Sequence, residues 1–311
     1  MIEIIKPGIL LTVQDAGRNG YRHLGVSKAG CLDPIAQKVA NKLIGNNENA
    51  AVLELSYGLA QIKFHAQTVI ALTGADLGAK LDSSPIYHGW NYEINKGQTL
   101  TFASSKNGLT AYIAIQGGLC VQPVMGSAAT DLTANFGGFK GRSLNAGDKL
   151  LINNTQHSEF IKMGAVLLNS RNHIRLHPSI HHKILGDELI NQFIDSTYTM
   201  SEHSNRMGAR LSTDVEGRLA HKHSLKSLAV APGSIQLPPN GKPIILLNDC
   251  QTTGGYPLLG TVIAADIHYF AQIKPSDTIS FEYVDLNQSK QALLEQRAYL
   301  AKLTYAINNK N

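Results

Sequence analysis

Apolar and polar residues alternate with a period of two over most of this chain, in short runs broken by Gly, Asn or Asp. That pattern predicts half-buried strands joined by tight turns. Ile2-Glu3-Ile4-Ile5-Lys6-Pro7-Gly8 predicts an opening strand closed by a turn. Lys96–Phe102, Ala146–Ile152 and Pro275–Phe281 share a plan in which a small polar turn feeds an alternating strand. The second and third predict closing strands of barrel-like units. Their recurrence about 130 residues apart points to two β domains of similar design.

Helical periodicity is confined to a few places. Asp33 is an N-cap, Pro34 fills the first helical position, and Ile35, Val39 and Leu43 form one stripe that ends before Gly45. A short helix is expected over Glu188–Ile194, and another from Asp266 carrying Ile267, Phe270 and Ala271. The last starts at Asp285, where Gln288 completes a capping-box-like pair. It places Leu286, Leu293, Leu300, Leu303 and Ile307 on one face, a stripe for core or partner packing. Regularity is lost between Gln156 and Arg175, the expected boundary. The expected fold is therefore mainly β with a few helices. It comprises an N-terminal β domain over 1–160, a C-terminal β domain over 171–286 and a terminal helix over 287–311.

Composition narrows the function classes. Twenty-eight glycines among 311 residues suit a turn-rich β protein over a helical bundle. The net charge of +5 is modest, and Lys and Arg are spread without a dense basic block, which argues against nucleic acid as partner. A slightly positive surface suits an anionic small molecule or an acidic protein partner. Met1 leads straight into a strand and no apolar run is long enough to span a bilayer, so neither a leader nor a membrane partner is expected. Three widely separated cysteines, Cys31, Cys120 and Cys250, fit free thiols in the cytoplasm.

Candidate chemistry concentrates in the second half. After the apolar run Ile244–Leu247 comes Asp249-Cys250-Gln251-Thr252-Thr253-Gly254-Gly255-Tyr256-Pro257, which reads as a polar binding loop or as a tight turn with no chemistry. Its adjacent glycines suggest positive φ and close approach to a ligand. Cys250 is a catalytic thiol or a small buried filler. Arg206 and Arg210, at even spacing, would share one face of an extended strand and suit a carboxylate or phosphate. Asn240-Gly241 predicts a hairpin that brings Gln236 and Lys242 near the strand leading into the loop. Gly241-Lys242 is not a phosphate loop, because the upstream glycine and the following hydroxyl residue are missing. Near the N-terminus, Asp15 and Arg18 form a fixed ion pair or an anion clamp. His221 and His223 alternate as metal ligands would, but with no acid or thiol set beside them they read as exposed or capping side chains, and no metal ligand set is identified. Ile161-Lys162-Met163 is similar to a biotin-attachment lysine with the wrong flanks, leaving Lys162 as an exposed lysine.

Taken together these motifs resemble the carboxyltransferase A-and-B family. The matching pieces are TVQDAGRNGY at 12–21, GVSKAGCLD, LTGAD at 72–76, IAIQGG at 113–118, GGFKGRSL at 137–144, SNRMGARL, GSIQLPP and NDCQTTGGYP. They run in family order from residue 7 to about 283. Ser27 stands where the family usually has proline. Ser127-Ala128-Ala129-Thr130 stands where it often has Ser-Arg-Ser-Thr, so an anion contact at that arginine is in doubt.

The resemblance implies a pair of cyclophilin-like β-barrel domains in a cytoplasmic complex. The implied function is that of the C-type component of an ATP-dependent 5-oxoprolinase, opening the lactam of 5-oxo-L-proline to L-glutamate. Its partners would be a two-domain B-type subunit and a third, A-type subunit, and the chain would be inactive or nearly so alone. ATP is then a cofactor of the complex, with no site located in this chain. One alternative is a biotin-dependent carboxyltransferase component acting on urea or a similar amide. Another is a regulatory protein that antagonises a sensor-kinase inhibitor. In the enzyme reading Arg206 holds the substrate carboxylate or a phosphoryl oxygen, and Gln251, Thr252 and Thr253 hydrogen-bond the amide. The Gly254-Gly255 backbone admits the ligand, and Asp249 takes a proton or orients Lys242. Tyr256, Gln236, Lys242, Arg210, Asp15 and Arg18 complete the expected binding set.

Overall fold

The computed structural model describes residues 1–153, 160–169, 171–213, 217, 219–223 and 225–309. Part of the boundary expected between Gln156 and Arg175 lies outside them. The fold is mainly β, and the chain divides into two compact units. One comprises Met1–Arg18, Ala29–Asn169 and Leu300–Asn311, and the other Asn19–Lys28 and Ser170–Tyr299. The division is not sequential: ten residues of the N-terminal segment group with the C-terminal unit, and the last helix is shared between both.

The first unit has a six-stranded and a five-stranded sheet. Alternation in Ala60–Phe64 buries Ala60, Ile62 and Phe64 and leaves Gln61 and Lys63 half exposed. A single apolar cluster draws on both sheets, including Ile2, Ile4, Ile62 and Phe64 from one and Leu53, Leu55, Ile70 and Ile113 from the other. In Ile2–Pro7 a register shift between Ile4 and Lys6 interrupts the alternation and leaves Ile5 exposed. Lys149–Leu150, expected to close a barrel, instead pairs with Ile2–Pro7 at the edge of the six-stranded sheet.

The helix Pro34–Leu43 covers the five-stranded sheet. The Asp33 carboxylate accepts from the backbone N of Ile35 and Ala36, and the Asp33 backbone N donates to Tyr112 Oη at 2.8 Å. Burial pushes the Tyr112 hydroxyl far above its ordinary range, so it stays protonated and able to donate.

The first unit also has an acid-sensitive clasp. Both oxygens of Asp148 are engaged by Arg142, at 2.7 and 2.8 Å, and Asn145 N adds a third bond. The Arg142 hydrogen bonds, ahead of the other contributions, hold the Asp148 carboxyl below the usual carboxylate range. A depressed folded value contributes stability that is complete above the unfolded pKa and is lost as pH falls through the folded one. Asp148→Asn is expected to remove that part of the acid limb and to cost under about 1 kcal/mol at neutral pH. Urea titrations at pH 7 and pH 3 read both effects.

The second unit is a closed barrel of seven strands. In order around it run His173–Pro178, Leu258–Val262, Ser234–Gln236, Ile244–Leu246, Gly208–Thr213, Tyr198–Met200 and Thr278–Tyr283. Closure is a parallel pairing of His173–Pro178 with Thr278–Tyr283. The latter is the strand expected to play that part from its turn-plus-alternation pattern. Phe193 of the helix Asp187–Ile194 packs with Tyr198 and Phe281, with ring centroids 5.0–5.6 Å apart. Asp266 is fully buried and accepts from the Arg175 backbone N, Nε and Nη2. The segment after Asp266 is a 3₁₀ turn, Ile267–Ala271.

The last helix, Leu286–Asn308, starts with the reciprocal Asp285–Gln288 bonds its sequence predicts. Its stripe is shallower than expected. Leu293, Leu300, Leu303 and Ile307 are half-buried, Leu286 is 76% exposed, and Ala292 is its one buried residue. Among the described residues no helix is long and apolar enough to cross a membrane.

Candidate functional site

The hairpin signal at Asn240-Gly241 is realised: Ser234–Gln236 and Ile244–Leu246 pair antiparallel, with Gln236 opposite Ile244. Gly241 has a φ of +74°, and a Cβ there would lie 2.7 Å from Ala220 N, so this turn position requires glycine. Beside the hairpin lies a cleft of about 540 Å³, a size suited to a small ligand. Arg210, Gln236, Lys242, Gln251, Tyr256 and Met207 are among its walls, all within the second unit. Five of these are residues singled out from the sequence.

Arg206 is placed differently from expectation. The strand begins only at Gly208, and Asn205–Gly208 is a tight turn with mutual backbone bonds of 3.1 Å. Arg206 and Arg210 therefore do not share a strand face; Arg206 is buried and Arg210 is exposed. The Arg206 Nε and Nη2 each donate to Asp249 at 2.9 Å, with side-chain exposures of 5% and 1%. Asp249 N also donates to the Arg206 carbonyl at 3.1 Å. This two-pronged pair fixes the base of the loop. Asp249 thus orients Arg206.

Between Gln251 and Tyr256, which line the cleft, residues 252–255 do not. Val230 N donates to the Thr252 carbonyl, and Thr253–Gly254 pairs with Leu228–Ala229. Neither Gly254 nor Gly255 has positive φ. A Cβ on Gly254 would lie 2.1 Å from Gln236 Nε2, and one on Gly255 would lie 3.2 Å from the Leu225 carbonyl. The Gln236 amide lies against Gly254, and the Leu225 carbonyl lies against Gly255.

Arg22 was passed over in the sequence. It comes from the segment Asn19–Lys28 that groups with this unit, and its Nη2 donates to the carbonyls of Val230 at 2.7 Å and Gln251 at 2.9 Å. No local pattern links Arg22 to a loop so distant in sequence; it lies just past the family motif at 12–21. Cys250 is fully buried among Val230 and Leu246. Desolvation pushes its thiol up, outweighing the downward pull of Arg22 nearby, so it is a core residue and not a poised thiolate.

Asp15 and Arg18 belong to the first unit. Asp15 accepts from Gly17 N, Ser127 Oγ and Ala128 N. Arg18 is 1% exposed and donates to the carbonyls of Val124 and Ala129, beneath the Phe136 ring. Both side chains tie loop backbone together, which replaces the ion-pair and anion-clamp readings.

His221 Nε2 contacts the Leu237 carbonyl at 2.8 Å, its Nδ1 accepts from His223 N, and the two rings stack. Among the described residues no group of three His, Cys, Asp or Glu side chains has metal-holding geometry. Lys162 is exposed, as its sequence suggests, and its ammonium sits 3.2 Å from the Tyr92 ring centroid and donates to the Asn91 carbonyl. That placement does not fit a biotin attachment point. Nor does Gly241-Lys242 fit a nucleotide phosphate cradle, since it lies in a turn between two strands with no helix after it.

Fold and site together define a mainly β protein whose closed barrel carries a cleft with Arg210, Lys242 and the carboxamides of Gln236 and Gln251 among its walls. The chain belongs to the carboxyltransferase A-and-B family: the family model for the carboxyltransferase domain, subdomain A and B, matches residues 24–283. It is 38% identical to the C-type component of 5-oxoprolinase from Escherichia coli K12 and 35% identical to its namesake from Haemophilus influenzae, in both cases over the full length of each chain. Among solved structures it is similar to K. lactis urea amidolyase, with a TM-score of 0.89 and 27% identity. That match covers 97% of this chain and 20% of that protein.

Proposed function

We propose that this chain is the C-type component of an ATP-dependent 5-oxoprolinase and that the cleft beside the hairpin holds the lactam. The observation that carries the reading is the wall chemistry: Arg210 and Lys242 with the carboxamides of Gln236 and Gln251. 5-Oxoproline is a planar amide bearing a carboxylate. The cations suit the carboxylate, and the carboxamides suit an amide that offers one donor and one acceptor. Full-length similarity to two bacterial proteins named as that component supports the same reading.

A lactam is protected by amide resonance, and ATP supplies the free energy that opening it demands. This chain's part is to hold the ring and its carboxylate in one orientation while the carbonyl carbon is made attackable. Arg206 and Asp249 act as positioning residues, since each engages the other at the loop base. Thr252 and Thr253 serve through the backbone that shapes the loop. The reading includes a B-type and an A-type partner, a cytoplasmic location and an ATP site elsewhere in the complex.

Similarity to K. lactis urea amidolyase favours one second reading, a carboxyltransferase component acting on urea. Mixing the purified chain with its partner proteins separates the two. ATP-dependent glutamate release from 5-oxoproline is expected. Activity confined to urea with a carboxybiotin donor would replace the first reading with the second.

A further inference from the structure

Gln236 has an unmet hydrogen bond at the wall of the cleft. Its side chain is 2% exposed, and its Oε1 accepts from Gln251 Nε2 at 3.2 Å. Its Nε2 is buried, with no acceptor in reach among the described residues. Buried amide donors are nearly always satisfied, and one that is not invites a functional explanation. The bond to Gln251 sets which end of the amide is held and which is offered. Gly254 protects the arrangement. The three atoms nearest a Cβ built there all belong to Gln236, at 2.1, 3.3 and 3.6 Å, and the backbone at Gly254 is not in the left-handed region.

We propose that Gln236 is a specificity-determining residue whose Nε2 donates to the ring oxygen of the lactam, held in that orientation by Gln251 and given its space by Gly254. This rests on reading the cleft as the lactam site. A donor that is buried and unpaired in the free site gains a hydrogen bond from a ligand that carries the acceptor and none from a ligand that lacks it. Proline keeps the ring and carboxylate of 5-oxoproline but has no ring oxygen, and its ring nitrogen is a cationic ammonium in place of a neutral amide. The wild-type complex therefore discriminates between them in binding.

The test uses the complex reconstituted with its partner proteins, calorimetric titration with 5-oxoproline and with proline, and glutamate release. Gln236→Ala removes the donor, and Gln236→Glu removes it while keeping the shape. Each is expected to lower kcat/KM for 5-oxoproline about 100-fold and to narrow the preference over proline by the same factor, the part set by proline's ammonium remaining and the weak proline affinity unchanged. Gly254→Ala, which leaves Gln236 in place but pushes its amide aside, is expected to cost nearly as much. Added to Gln236→Ala it should cost almost nothing more, a non-additivity that a general loss of stability does not produce. Thermal melts of each variant show whether the barrel is intact. A wild-type complex that acts on 5-oxoproline while both Gln236 variants keep the full wild-type preference over proline would overturn the inference and leave the functional reading standing. Retention by Gln236→Glu alone would overturn the donor assignment. A wild-type complex inactive on 5-oxoproline would remove both.

Discussion

Replacing Arg206 with alanine is expected to destabilise the second unit by about 3–5 kcal/mol, because it strands a buried carboxylate. Asp249 has a side-chain exposure of 1% and receives two bonds of 2.9 Å from Arg206, so its charge has no ready route to water. Urea unfolding followed by a probe in the barrel reads the loss as a shift of midpoint. With two compact units, a separate earlier transition for the barrel is the expected form. Arg206→Lys keeps a charge but not the fork, and is expected to fall between wild type and alanine. A double change to similar apolar residues, Arg206→Met with Asp249→Leu, is expected to recover most of the stability, since removing both members removes the stranded charge. Full stability in Arg206→Ala together with lost substrate binding would instead place Arg206 on the ligand.

The contrast between this pair and the rest of the site shows where sequence reasoning holds. Local signals were legible. Asp33 before Pro34 gave the first helix, Asp285 with Gln288 gave the start of the last, and Asn240-Gly241 gave the hairpin. Each depends on residues within one turn of one another, so the sequence carries the whole interaction. The position of Arg206 was not legible because the strand starts two residues later than even spacing suggests, after the Asn205–Gly208 turn. The glycines of the loop were read for backbone freedom. Gly254 is instead required by the amide of Gln236, a tertiary neighbour. Arg22 reaches the Gln251 carbonyl across 229 residues. Charged and amide side chains of this kind are assigned by what they meet after folding, and their own neighbours in sequence say little about it.

The cations on the cleft wall give the largest expected effect on substrate affinity. Arg210→Ala and Lys242→Ala are each expected to raise KM for 5-oxoproline about 10-fold, and the pair about 100-fold, with kcat nearly unchanged. The reasoning turns on what the carboxylate does during the reaction. It lies outside the amide that opens, so its charge is the same in the bound substrate and in the transition state. Contacts to it are uniform binding, which moves KM and not kcat. Arg210 is exposed at the cleft wall, so its share is expected to weaken with added salt, and the double variant is expected to lose that salt dependence. 2-Pyrrolidinone, the same lactam without a carboxylate, separates charge recognition from amide recognition. It is expected to bind wild type and the double variant equally weakly, whereas Gln236→Ala weakens it further. A double variant that loses kcat with KM intact would show that these side chains act on the reacting amide instead, and would move the carboxylate to another wall of the cleft.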